Sequence, residues 1–126
     1  DTTNVGTSSA ASYLTKPVIL ENLSTAIDVR LTSNIRSTSK VEVYFRTTSS
    51  EEARNINDLS WIPFNTTGTS DTTVTPAEDN ETFKEYKYSV TGLNEFTAFQ
   101  IKIVMKGTNS AYAPVIKDMR GIALAV

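Results

Sequence analysis

Residues 96–126 read FTAFQIKIVMKGTNSAYAPVIKDMRGIALAV, and this stretch decides the fold. Phe99, Ile101, Ile103 and Met105 alternate with Gln100, Lys102 and Lys106. A period of two gives a strand one apolar face and one wet face. Val104 interrupts the wet side, as expected where a loop or neighbouring element covers part of it. Gly107, Thr108, Asn109 and Ser110 form a turn cluster, and Pro114 opens a second extended run by biasing Ala113 away from the helical region. In that run Ile122, Leu124 and Val126 alternate with Ala123 and Ala125. Both strands are expected in the middle of a pair of sheets, with the rest of the chain packed onto them.

The same alternation recurs upstream. Residues 13–20 read as a strand carrying Pro17, which has no N–H for a ladder, so an edge strand or a strand broken at that point is expected. Ile27, Val29, Leu31 and Ile35 share one face opposite Asp28, Arg30, Thr32 and Asn34. After a turn at 37–39, Val41, Val43 and Phe45 continue the apolar pattern, with Glu42, Tyr44 and Arg46 pointing away. These two strands are expected to be antiparallel neighbours. Residues 47–60 form a polar connection in which Asn55 and Asn57 argue against a stable helix. Trp61, Ile62 and Phe64 give a short strand around Pro63. Residues 65–81 read as a loop with a short strand at 72–75, and residues 83–90 as a strand with Tyr86, Tyr88 and Val90 on one face.

Composition supports an all-β chain. The 126 residues include 19 Thr and 13 Ser, which favour pleated strands and turns respectively. Helix-period patterns are scarce. The expected architecture is a two-sheet antiparallel β-sandwich, with the long loops favouring a jelly roll over a plain meander. Residues 1–12 are small, polar and without period, a flexible lead-in to a single domain over 13–126. The start on Asp1 rather than Met leads to the expectation of a C-terminal module of a longer protein.

The same composition narrows the chemistry. There is no Cys and no His, which removes the thiolate nucleophile, the usual general base and the commonest transition-metal ligand. Net charge is -2 with no basic stripe, so nucleic acid is not an expected partner. No apolar run approaches the roughly eighteen residues of a spanning helix, and no membrane insertion is expected.

Paired carboxylates could run glycoside hydrolysis without His, the candidates being Glu51, Glu52, Glu78, Asp79, Glu81 and Asp118. All but Asp118 lie in polar loops where solvent keeps them ionised, so solvated loop charge is the favoured reading and no catalytic residue is assigned. Asp71, Glu78, Asp79, Asn80 and Glu81 could offer oxygens to calcium, but the order of a dedicated calcium loop is missing; no metal or cofactor is expected. Asp118 and Arg120 read as a structural pair across a sheet. Of the aromatics Trp61, Tyr112, Tyr44 and Tyr13, Tyr112 in the 107–114 loop is the better exposed candidate for a glycan contact, because exposed rings stack on pyranoses; Trp61 is the other candidate, with a core role its favoured reading. Three Asn-x-Ser/Thr triplets, at Asn22, Asn65 and Asn80, match chance in so Ser/Thr-rich a chain.

Two segments carry a resemblance. VEVYFRTTSSEEARNINDLSWIPF, residues 41–64, and the quoted 96–126 segment with its closing RGIAL strand resemble tail and baseplate structural proteins of contractile-tailed bacteriophages. They look like segments of large virion proteins of myoviruses that infect marine cyanobacteria. The layout also resembles galactose-binding-like jelly rolls of the discoidin type, which commonly end in a strand, a Pro loop and a final strand. Together the segments cover somewhat under half the chain. The resemblance implies a non-enzymatic C-terminal domain of a phage tail, baseplate or fibre protein, assembled in the host cytoplasm and residing in the virion tail. It implies subunit contacts or host-surface attachment, with other virion subunits, a homo-oligomer and a host glycan as partners. Residues 47–60 and 65–81 are the expected contact loops. A carbohydrate-binding module is the alternative. A hydrolase is the third reading, and it requires two carboxylates converging in a cleft.

Overall fold

In the computed structural model, which describes residues 9–35, 39–49, 55–72, 74–76, 81–107 and 115–124, eight strands divide between two antiparallel sheets. The spine of the larger sheet is β7 (Phe96–Gly107). Along one edge it pairs with β4 (Ser39–Thr48) from Ser39↔Gly107 to Thr48↔Ala98. Its other edge is shared by β1 (Ser9–Leu14) and β2 (Val18–Ser24). A two-residue strand, β5 (Ile62–Pro63), adds to the far side of β4. The smaller sheet has β3 (Ala26–Asn34) in the centre, with β6 (Lys84–Val90) on one side and β8 (Val115–Leu124) on the other.

The inward faces follow the period-two stripes. Phe99, Ile101, Ile103 and Met105 of β7 and Val41, Val43 and Phe45 of β4 meet Ile27, Val29 and Leu31 of β3 and Tyr86 and Tyr88 of β6 across one dry interior. Phe64, fully buried, ties the layers together. Its ring lies 4.9 Å from Phe45 in one sheet and 6.0 Å from Tyr88 in the other. Tilted and edge-on aromatic pairs of this kind add roughly 0.5–1.5 kcal/mol beyond their buried area.

Pro17 has the expected effect, and the chain repairs it locally. Thr15, between β1 and β2, donates its N–H to Ile101 O at 3.0 Å. Its hydroxyl accepts the Ile101 N–H at 3.0 Å, standing in for a ladder carbonyl where the strand is broken. β1 starts at Ser9, inside the stretch read as a lead-in, because Ser9 and Ser12 pair with Lys106 and Val104.

Three expectations are corrected. β3 and β4 are not neighbours in one sheet; they belong to opposite layers and face one another through the core. A one-sided apolar stripe says that a strand has a buried face, not whether the next strand lies beside it or across from it. β8 does not sit in the middle of a sheet but at an edge, and its Ile122 and Leu124 are exposed while Ala123 packs inward. No strand forms at 72 or 74–75, the described part of the expected short strand at 72–75. The sandwich itself is as expected. The jelly-roll, galactose-binding-like topology is a finer assignment that this five-and-three strand order does not establish.

Candidate interaction surface

The two long sides of the sandwich differ. On the β4–β6 side, residues 64–71 run as a strap from one sheet to the other. Gly68 O accepts the Val43 N–H at 2.9 Å, on the β5 side of β4. Asp71 N–H donates to Lys87 O on the free edge of β6 at 2.8 Å. The Asp71 carboxylate accepts the Ser89 N–H at 3.0 Å, the Ser89 hydroxyl at 2.6 Å and the Asn65 amide at 2.9 Å. Desolvation alone would raise the Asp71 pKa, but these donors and the charge of Lys87 outweigh it and hold the carboxyl below its ordinary value. Asn65 and Thr66 both take positive φ, 52° and 66°, a conformation that a β-branched Thr seldom adopts. Because the Asn65 amide donates to both Thr69 O and Asp71, a glycan attached there would remove one of these bonds.

The opposite side has no such strap among the described residues. There the β1/β2 edge of the larger sheet runs beside β8 of the smaller one, and a groove of ≈ 420 Å³ between them is lined by Tyr13, Leu14, Ile103, Ile116, Lys117 and Met119, among others. The strands of this side carry exposed apolar residues: Tyr13 and Leu14 on β1, Val18, Ile19 (76 % exposed) and Leu23 on β2, and Ile122 and Leu124 on the outer face of β8. Scattered single apolar residues are ordinary on a protein surface, whereas a run of them along one unstrapped side marks a contact surface. Among the described residues, Ile62 on β5 is the one large exposed apolar residue outside these strands.

On the outer face of the larger sheet, Arg46 is buried and spends its donors on neutral oxygens. It reaches Gln100 Oε1 from Nε at 2.9 Å and from Nη2 at 2.7 Å, and Leu59 O from Nη1 at 3.1 Å. Its guanidinium lies 4.1 Å from the centre of the Trp61 ring, and Lys102 Nζ lies 5.6 Å from it. Trp61 is half-buried, neither a core residue nor a free platform. Tyr112, the other expected glycan contact, lies outside the described residues, as do Glu51, Glu52, Glu78, Asp79 and Asn80.

Besides Asp71, four of the described carboxylates serve structural partners. Glu42 takes Lys106 Nζ at 3.0 Å and the Tyr44 hydroxyl at 2.9 Å. Burial works against ionisation there, but these donors and the Lys40 charge leave the pKa lowered. Asp28 pairs with Arg30 at 3.0 Å, Glu85 with Arg30 at 3.5 Å and Arg120 at 3.6 Å, and Asp118 with Arg120 at 3.9 Å. The Asp118–Arg120 pair is thus formed along one strand rather than across the sheet. Among the described residues no group of three or more acidic side chains could hold a metal ion, and no helix is long and apolar enough to cross a membrane.

Sequence reasoning missed the open side because its residues come from strand ends with mixed patterns. The signal in the sequence was RGIAL, whose isoleucine and leucine share a face with Arg120. No family model, curated protein or solved structure matches the chain.

Proposed function

We propose that this chain is a non-enzymatic assembly module that works by packing against neighbouring subunits through its β1/β2–β8 side. The observation that supports the reading is the asymmetry of the sandwich: a strap of its own chain bridges the β4 and β6 edges on one long side, while the strands of the other carry most of the large exposed apolar residues among the described ones. The resemblance of residues 41–64 and 96–126 to phage tail and baseplate proteins supplies the setting, a virion tail assembled in the bacterial cytoplasm. Asp28, Glu42, Asp71, Glu85 and Asp118 are each held by a cation or by donors of their own chain; this favours the assembly reading over a hydrolase, which needs two carboxylates converging on a substrate.

A carbohydrate-binding module is the less favoured reading. A sugar stacking on Trp61 would compete with Arg46 and Lys102 for the ring. Glycan-array binding abolished by Trp61→Ala would favour that reading instead. The assembly reading is tested by sedimentation velocity of the wild type and of Ile19→Lys and Leu14→Lys. Self-association of the wild type and its loss in both variants is expected. A wild type that stays monomeric at high concentration contradicts the reading.

A further inference from the structure

We infer that the partner at this side is a second copy of the chain, joined β8 to antiparallel β8 about a two-fold axis at Met119. The inference rests on the assembly reading and adds to it the partner and the register.

Among the described residues, the outer edge of β8 has no strand paired to it. The strand is ten residues long and stands at the end of the β6–β3–β8 order. An unpaired edge of this length is a template for another strand unless it is guarded. It contains charges, which usually guard an edge, so their arrangement decides whether they repel or select a partner. Asp118 and Arg120 flank Met119 and point to the outer face with Arg30 and Glu85.

In an antiparallel self-pairing centred on Met119, Asp118 of each copy lies directly opposite Arg120 of the other, giving two complementary pairs. Centring the axis on Gly121 instead sets Arg120 opposite Ile122 and Asp118 opposite Leu124, leaving every charge without a partner. Opposite charges directly across a ladder stabilise it and like charges destabilise it. The Met119 register is therefore selected. It also places Lys117, at the irregularity where Asp118 pairs with Thr32 but Ile116 pairs with Ser33, opposite Gly121, which has no side chain to obstruct it. The in-chain partners of Arg120 are loose, at 3.6 and 3.9 Å with its side chain 67 % exposed, so re-pairing across the axis loses little.

The same axis, perpendicular to the sheets, brings the β1/β2 edges of the two copies toward one another. One symmetry operation thus brings together the two edges whose strands carry most of the large exposed apolar residues among the described ones. The interface is isologous and closes as a dimer.

The experiment is sedimentation equilibrium of the wild type, Asp118→Arg, Arg120→Asp and the double swap, with thermal unfolding to confirm that each variant folds. Each single reversal opposes like charges twice and should weaken dimerisation by about tenfold or more. The double swap restores both pairs and should recover the wild-type affinity. A dimer indifferent to both single reversals, or a double swap no better than the singles, overturns the inference. If Ile19→Lys still dissociates that dimer, the assembly reading stands without this register. A monomeric wild type overturns both.

Discussion

Arg46 and Gln100, 54 residues apart in sequence, are joined by two hydrogen bonds to a single oxygen, Gln100 Oε1. Gln100 returns its own amide to Thr15 O at 2.7 Å, at the break between β1 and β2. The buried guanidinium thus links the 55–61 segment, through the outer face of β4 and β7, to the opposite edge of the sheet. Its planar fork suits this set of oxygens, and an ammonium does not reproduce it.

Removing both members of this pair should cost less than the two single losses added together. Gln100→Leu leaves a buried cation short of acceptors and should destabilise by about 2–3 kcal/mol. Arg46→Leu should cost about 1–3 kcal/mol, and the double substitution less than the sum of the two. Urea denaturation of the four proteins checks this. Additive losses would mean that the pair is not coupled.

The strap should weaken in acid. The Asp71 pKa is lowered in the fold, so its contribution is complete above the ordinary carboxylate range and is lost as pH falls through the depressed value. Glu42 acts in the same sense. Asp71→Asn should lose about 1 kcal/mol near neutral pH and show a shallower loss of stability down to about pH 3. Parallel pH profiles for the two proteins would contradict this account of Asp71.

Two glycines should respond oppositely to alanine. Gly68 has φ of +84°, and a Cβ there would come 2.9 Å from Glu42 Cβ and 3.3 Å from the β4 backbone. Gly68→Ala should cost about 2 kcal/mol or more. At Gly121 the nearest atom to an added Cβ is Phe99 Cε2 at 3.7 Å, an ordinary contact. Gly121→Ala should be neutral or stabilising by up to about 1 kcal/mol, through the lower entropy of the unfolded chain. Chemical denaturation of both variants gives the comparison.

Much of the fold was legible because burial writes itself as alternation. The inward residues of β3, β4, β6 and β7 were those of the period-two stripes, and Pro17 marked its break. What alternation cannot carry is pairing. The assignment of β3 and β4 to one hairpin failed on that point, and so did the central placement of β8. The outward direction of Ile122 and Leu124 was missed because their small neighbours Gly121 and Ala123 look like the lesser face until Phe99 is found packed against it. The strap was illegible for another reason. It depends on positive φ at Asn65 and Thr66 and on a carboxylate reaching a strand edge 18 residues away, neither of which leaves a local pattern. The candidate surface lies away from Trp61, one of the two residues considered for a glycan contact, and a lone aromatic says nothing of the cation above it.

The most direct test of the account is amide hydrogen exchange along β8 at low and high protein concentration. The account predicts that the outward-facing amides around Met119 exchange freely when dilute and become protected as concentration rises, while β7 stays protected throughout. Protection of β8 that does not change with concentration would contradict it.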